Sequence, residues 1–439
     1  MLWEQWNQWT VTELPRINRA VLSGSVPPEV LTTEFRSSVL DGLPAPESFS
    51  PATARRVLVL LGLAGSSVAR HYQEADLARK SRPRESFDQL SVGPGGVPFL
   101  TYFARVAAAT GTGHVGRDSY ASLVRWNAPT TEVDVDGEVV TLLPGEFPDL
   151  SIRTYTNDPG EAAFFELLKR SEALERAVND TLEPVADGSI DILAPEAATR
   201  ALAATRLMTV LIHHNQGFAS RSPAEGGLRT EHFMDVFRQF AVHWELGDLP
   251  PTGAQDPEFL RRDLLLGIDI PDYAGHVRHI FPALLTAERA MLDRQAARPP
   301  LPTTLLAATG LDTAALSTAS PAQLQALVRE HPGLAAWYLL LAANAKFGAV
   351  HLMLTERFLF KPQRVRDLAG VGDRPLVSNR RGTTGMEEPL LVRLTRARQN
   401  HPLRSIGHVP RRDLFAASGA AVIDDPDRQP TVRFVAPTG

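Results

Sequence analysis

The sequence predicts a mainly α protein, and three observations carry that expectation. From Glu161 onward apolar residues recur at helical spacing in eight segments, most of them parted by short Pro/Gly joints. Only one stretch reads as a substantial sheet, Glu132–Leu142, where two β-branched runs flank Asp136-Gly137, a pair suited to the positive φ angles of a hairpin turn. Hydrophobic residues make up 44% of the chain, enough for a packed core and against wholesale disorder. At 439 residues two units are the better expectation. These are a smaller N-terminal α domain over 1–155 carrying the hairpin, and a large all-α domain over 156–439 that ends in a loosely held tail.

In order along the chain, Pro27-Pro28, Pro44, Pro46 and Pro51 punctuate the start, ahead of a helix over Ala54–Leu63. Gly93-Pro94-Gly95-Gly96 closes the next segment. Pro98–Thr110 then reads as a helix, with Leu100, Phe103, Val106 and Ala107 on one face. The helices expected after the hairpin are Glu161–Asn179, Pro195–His214, Thr230–Trp244, Asp256–Leu266, Tyr273–Gln295, Pro321–Glu330, Leu334–Phe360 and Glu387–Gln399. Lys361–Gly385 is left as a long loop, the kind that forms lids or binding segments. The start, Met1-Leu2-Trp3-Glu4-Gln5-Trp6, has no basic region followed by an apolar one, so no secretory signal is expected. Gly333–Thr355 is the most membrane-like run, but Asn344, Lys346 and His351 interrupt it, which favours a buried helix. A cytoplasmic protein without membrane partners is the expectation.

Composition removes whole chemistries. With no cysteine there is no disulfide framework, no thiolate catalysis, no Cys-ligated zinc, no iron–sulfur cluster and no thiolate-ligated haem. A net charge of −5 argues against a generic nucleic-acid surface. Metal or cofactor chemistry therefore falls to histidines and carboxylates. His276 and His279 sit three apart and His213-His214 are adjacent, but neither pair has the carboxylate spacing of a hydrolytic zinc motif. No nucleophile elbow, Walker or dinucleotide-binding fingerprint is present.

Five features remain. His351 stands alone on an apolar helix, as a core histidine bonded to a backbone carbonyl or as a proximal haem ligand on an apolar wall. Gly382-Thr383-Thr384-Gly385 precedes a helix, as a plain loop or as hydroxyl and N–H groups closing over an anionic or zwitterionic ligand. Arg238 lies one turn beyond Met234 among aromatic residues, as a snorkelling arginine or as a fork for a carboxylate. Thr252-Gly253-Ala254 forms a small-residue loop ahead of Asp256, which is either an ordinary capped loop or a place where a planar ligand approaches the backbone. Finally, 13 Lys and Arg against 4 acids lie between Arg357 and Arg412, forming a solvated basic face or a contact for acidic groups.

The order and spacing of these blocks resemble the haem-dependent aromatic oxygenase superfamily. Phe233–Trp244, Thr252–Gln255 and Phe259…Asp263–Ile268 are similar to the distal segment of the indoleamine 2,3-dioxygenases. His351-Leu352…Thr355…Arg357-Phe358 and Gly382–Gly385 resemble that family's proximal-histidine helix and Gly-Thr-Gly-Gly substrate loop. Ala109-Thr110-Gly111…Arg117…Ser119…Trp126–Pro129 is similar to the pyrrolnitrin-pathway member, monodechloroaminopyrrolnitrin synthase. The likeness covers about Glu231–Gln399 well and Pro98–Thr130 loosely. It implies a helical haem b domain capped on its distal side by the N-terminal domain. His351 would be the proximal ligand, and Thr252, Gly253 and Ala254 would lie over the distal haem face. Arg238 would hold a substrate carboxylate, and Thr383, between Gly382 and Thr384, would bond a carboxylate or ammonium. Phe233 and Phe164 would wall the aromatic ring.

The implied activity is oxygenation of L-tryptophan or a related indole or aromatic amino acid, with O2 activated on ferrous, histidine-ligated haem. Oxidative rearrangement or mono-oxygenation of a tryptophan derivative is an alternative within the superfamily. A non-catalytic haem sensor or carrier, or a helical scaffold without cofactor, stands outside it. The dioxygenases need no side-chain base, and no catalytic dyad is visible in the sequence. Three departures bear on substrate or outcome: Met234 replaces the second aromatic of a pair, Thr252-Gly253-Ala254 replaces Ser-Ala-Gly, and Gly-Thr-Thr-Gly replaces Gly-Thr-Gly-Gly.

Overall fold

Three of the longer helices begin the same way, with a polar cap followed by proline. Ser50 accepts from Thr53 N at 3.2 Å ahead of α1, Pro51–Ala75. Asp158 accepts from Gly160 N at 2.8 Å ahead of α3, Pro159–Ala186. Asp256 accepts from Glu258 N and Phe259 N ahead of α5, Pro257–Leu265. In each case the side chain satisfies N–H groups the helix leaves open, and proline at the first position forfeits nothing. The computed structural model describes residues 2–110, 116–370, 375–381, 386–418 and 429–436. Between α1 and α3 lies α2, Phe99–Ala108. After α3 come α4, Pro195–Ser220; α6, Gly333–Thr355; α7, Lys361–Leu368; and α8, Glu388–Gln399. The described residues are mainly helical, as the sequence predicts.

The two largest apolar clusters divide along the chain. One gathers α1, α2 and the residues around Trp6, Trp9 and Phe35, and receives Phe237, Phe240 and Trp244 from further on. The other joins α3, α4 and α6, whose interlocking faces bury Leu174, Leu207, Leu211, Trp337 and Leu340. α1 and the Gly333–Leu368 helical run are each long and apolar enough to cross a bilayer, and 78% and 56% of their apolar windows are buried within the protein.

Several expectations change on tertiary grounds. The first helix runs 25 residues rather than ending at Leu63. Residues 230–240 wind as a short α-turn, a π-turn over Phe233–Phe237 and a 3-10 turn to Phe240, so the segment stops short of Trp244. The Arg70 guanidinium takes the carbonyls of Asp235 and Val236, Arg117 takes that of Val242 and Gln73 that of His243, so helical periodicity is overruled. The Tyr273–Gln295 helix divides into Pro271–Ile280 and Thr286–Ala296, with Pro282 in the break. Part of the expected Lys361–Gly385 loop is helical, because α6 continues through a π-turn, Glu356–Phe360, into α7.

The hairpin forms as β1, Thr130–Val135, and β2, Glu138–Leu143, with Asp136 and Gly137 at φ 57° and 87°. The tail adds an unforeseen strand. β3, Thr431–Val435, pairs antiparallel with β1 (Thr130 opposite Val435, Asp134 opposite Thr431), giving the order β2-β1-β3.

Gly65 on α1 lets Trp244 lie flat against the helix. A Cβ there would stand 2.7 Å from the indole and 3.1 Å from Phe99. Gly65→Val should cost about 1–3 kcal/mol of stability through overpacking against a rigid ring, read as a lower midpoint in urea denaturation with an unchanged slope.

Candidate functional site

One cavity collects the dispersed predictions. Phe164, Leu168, Ser171 and Glu175 face it from α3 at helical intervals, Asn215 and Phe218 from α4, Phe233 and Arg238 from the irregular segment, and Thr252, Gly253 and Ala254 from the loop before α5. Phe259 of α5, His351 and Phe347 of α6, Phe358 beyond it, and Leu394 and Arg398 of α8 complete the wall. The void measures about 220 Å³ to the centre of a water-sized sphere, and about 1350 Å³ out to the surrounding atoms and mouth. Behind Phe164, Phe233 and Arg238 it adjoins a smaller pocket of about 100 Å³ bounded by Tyr120, Tyr155, Phe237 and Phe240.

The walls are aromatic because the segments supply rings in register. Phe164 lies 5.6 Å from Phe233 and 5.5 Å from Phe237, and Phe218 lies 5.6 Å from Phe358. The rings meet one another tilted or edge-on, an aromatic lining that suits an apolar ligand. Met234, a departure from the resembled pattern, is wholly buried in packing and lines neither pocket, so its thioether is not a pocket wall.

His351 is not a core histidine tied to a carbonyl. No described residue hydrogen-bonds its ring nitrogens, and its accessible surface opens onto the cavity. Phe347 stacks on it at 6.0 Å, and Phe259 stands 5.6 Å away. Behind those rings lie Arg262 and Arg398, the former 4.4 Å from Phe347 and the latter 5.3 Å from Phe259. Burial, then Arg398 and Arg262, push the imidazole pKa down to about 4, so the ring is neutral with a lone pair available. Gly348 permits this backing, since a Cβ there would meet Arg398 Cδ at 2.9 Å. Arg398 is held by Asp263 at 2.6 Å, and Asp263 accepts in turn from the Tyr273 hydroxyl at 2.7 Å.

This donor set bears on the expected cofactor. Among the described residues no three His, Asp or Glu side chains group as a metal site. A bare ion needs several protein ligands, whereas haem brings four of its own and asks the protein for one imidazole and apolar walls. The residues present would suit haem b: His351 is the one that would hold the iron, and Thr252–Ala254 belong to the same lining.

Arg238 is the electrostatic anomaly of the cavity. It is 8% exposed, and no described carboxylate pairs with it. One Nη donates to the carbonyls of Ser378, at 2.7 Å, and Arg381, while its Nε is buried without a partner. Burial alone lowers its pKa to about 10, leaving it a cation at neutral pH. It therefore does not snorkel, and it forms no salt bridge among the described residues. The neighbouring Gln239 exchanges hydrogen bonds with Val377, so adjacent side chains clasp the strand that leads to Gly382. Gly382, Thr383 and Thr384 lie outside the described residues; Arg381, just before them, bridges to Glu387, and Met386, just after Gly385, lines the cavity.

The basic run from Arg357 to Arg412 is not a free cationic face throughout. Arg364 pairs with Glu356 and Glu388, Arg366 with Asp235, Arg380 with Asp367, and Arg398 with Asp263.

Sequence reasoning missed Glu175, Asp256, Ser171, Asn215, Tyr273 and Arg398 as lining residues. Glu175 left one signal, a carboxylate in line with Phe164, Leu168 and Ser171 on the inward face of α3. Neither a known family's sequence profile nor a curated protein matches the chain.

A buried cation without an anion should take one from solution. An aromatic carboxylate such as indole-3-acetate should stabilise the protein by about 2.7 kcal/mol at a hundred times its Kd. The stabilisation should vanish in Arg238→Met, as read by thermal shift, while uncharged indole should stabilise both forms equally.

Proposed function

We propose that the protein is a haem-dependent oxygenase acting on L-tryptophan or a related indole or aromatic amino acid. One observation carries the reading: a buried guanidinium with no anion among the described residues and a neutral imidazole to which no described residue hydrogen-bonds face the same aromatic-walled cavity. Neither is stable company for an apolar void alone, since an uncompensated charge and an unpaired ring nitrogen both cost free energy in low dielectric. Together they suit a cofactor that needs one nitrogen ligand and a substrate that carries one carboxylate.

Bound haem would supply an iron centre that activates dioxygen, which is chemistry no side chain offers. The chain's own part is orientation. Arg238 would fork onto the carboxylate, and Phe164 and Phe233 would hold the ring. Thr383, assigned by the resemblance alone, would bond the carboxylate or ammonium. Fixing the amino acid in this way removes its translational and rotational freedom before reaction, an effect of roughly 7–11 kcal/mol at best. A gas sensor or carrier would need His351 but would have no use for an unpaired Arg238.

Purified protein supplied with haemin should show a Soret band that is lost in His351→Ala. Reduced and incubated with tryptophan under ¹⁸O2, it should yield labelled product. A protein that stays colourless with added haemin overturns the reading. A coloured protein that labels no indole amino acid turns it into a sensor or carrier.

A further inference from the structure

A second set of buried charges lines the cavity, and nothing in the proposed function uses it. Glu175, 1% exposed, and Asp256, 5% exposed, both line the cavity and stand close enough for their carboxyls to interact. Two carboxylates in contact cannot both carry full charge in low dielectric, so such a pair retains one proton. The surroundings say where it rests. Glu175 accepts from Arg262 Nη1 at 2.6 Å, which favours its ionised form. Asp256 has no cation at hydrogen-bond distance. Its Oδ1 caps α5, and its Oδ2 accepts from the Tyr120 hydroxyl at 3.2 Å. Burial, then Glu175 and Glu172, hold the Asp256 carboxyl well above the usual range.

The pair also has a way out. Glu172, one helical turn before Glu175, is 1% exposed; its Oε1 accepts from Arg125, while its Oε2 is buried without a partner. Two nitrogens of Arg262, Nε and Nη2, are likewise buried and unpartnered. Unpaired polar atoms so placed are the usual seat of an internal water. Arg125 continues to Glu288, and Arg125, Glu172 and Glu288 line a separate surface cleft of about 360 Å³. Carboxyl groups thus line both the cavity and the cleft, with Glu172 one helical turn from Glu175.

We propose that Asp256 and Glu175 share one proton, that Asp256 donates it to the molecule reacting in the cavity, and that Glu172 reloads the pair from the cleft. The O–H bond at Asp256 breaks, a bond forms to an oxygen of the reacting molecule, and the resulting carboxylate pair is held by Arg262 until a proton from solvent replaces the one lost. The charged and titratable groups facing the pair are Glu172, Arg125 and Tyr120 from the neighbouring elements and Arg262 from α5 itself. The two acids are 81 positions apart in the sequence (256 less 175) and meet only through folding. A proton donor is superfluous where both oxygen atoms are inserted into an indole, and useful where an oxygen must be protonated on the way to product.

The donor role rests on the proposed oxygenase reading, while the shared proton does not, and infrared spectroscopy of the purified full chain separates them. The C=O stretch of a protonated carboxyl should persist at neutral pH, move to lower frequency in D2O, and vanish in Asp256→Asn, whose side chain still caps α5. Glu175→Gln should also abolish it at neutral pH by removing the like charge, so the test survives an Asp256 variant that fails to fold. Glu172→Gln should keep the band and slow its exchange with D2O. No such band in the native protein, or a band unchanged in both Asp256 and Glu175 variants, overturns the shared proton. Unslowed exchange overturns the route. In turnover, Asp256→Asn should lower kcat by about 10²–10⁴-fold with KM little changed, and an unchanged kcat overturns the donor role even where the band is present.

Discussion

The arrangement depends on a guanidinium placed where the described residues offer it no counter-charge. Arg238 is buried among aromatic rings and steadied by two backbone carbonyls rather than by a carboxylate. Desolvating a cation costs several kcal/mol, and two hydrogen bonds to neutral acceptors return only part of that. The fold bears the cost by making its neighbourhood irregular. The π-turn and 3-10 turn around Arg238 are pinned from α1 by Arg70, and the strand that receives the guanidinium is clasped by Gln239. A binding group that must stay available to a ligand has to be spared an internal partner, and here the surrounding polar groups are committed elsewhere.

Three other buried arginines follow the opposite rule. Arg262 is paired to Glu175, Arg398 to Asp263, and Arg117 to Asp118 and Asp248, each within 2.9 Å. Two of these pairs serve the His351 side of the cavity. Their guanidinium planes lie against Phe259 and Phe347, so the rings flanking His351 are wedged between the cavity and a layer of fixed positive charge. Burial first, and that layer after it, keep the imidazole neutral. On the far wall Asp256 performs two tasks, opening α5 as its cap and joining the carboxyl pair. A residue committed to the start of a helix gives a proton-holding group a fixed position.

Much of this was legible in the sequence, and the exceptions have physical causes. Helices with strong caps and regular apolar spacing, such as Pro257–Leu265 and Pro321–Glu330, were legible nearly to the residue, because local interactions decide them. The segment around Arg238 was misjudged as one helix because its backbone is shaped by side chains more than a hundred positions away. The strand Thr431–Val435 escaped notice because its partner lies some 300 residues earlier, a pairing that no local pattern announces. Of the candidate site residues, His351, Arg238, Phe233, Phe164 and Thr252–Ala254 line one cavity. Glu175 and Asp256 were invisible as a pair, since each taken singly reads as an ordinary helix residue and an ordinary cap.

The central claim is that Arg238 and His351 address two parts of one occupant pair, a carboxylate and an iron-bearing ring. The most direct measurement is an optical titration of the haem-loaded protein with L-tryptophan and with tryptamine, which lacks only the carboxylate. The account predicts that tryptophan perturbs the Soret band at a concentration at which tryptamine does not, and that Arg238→Met abolishes the difference. Equal responses to the two amines, unchanged by Arg238→Met, would contradict it.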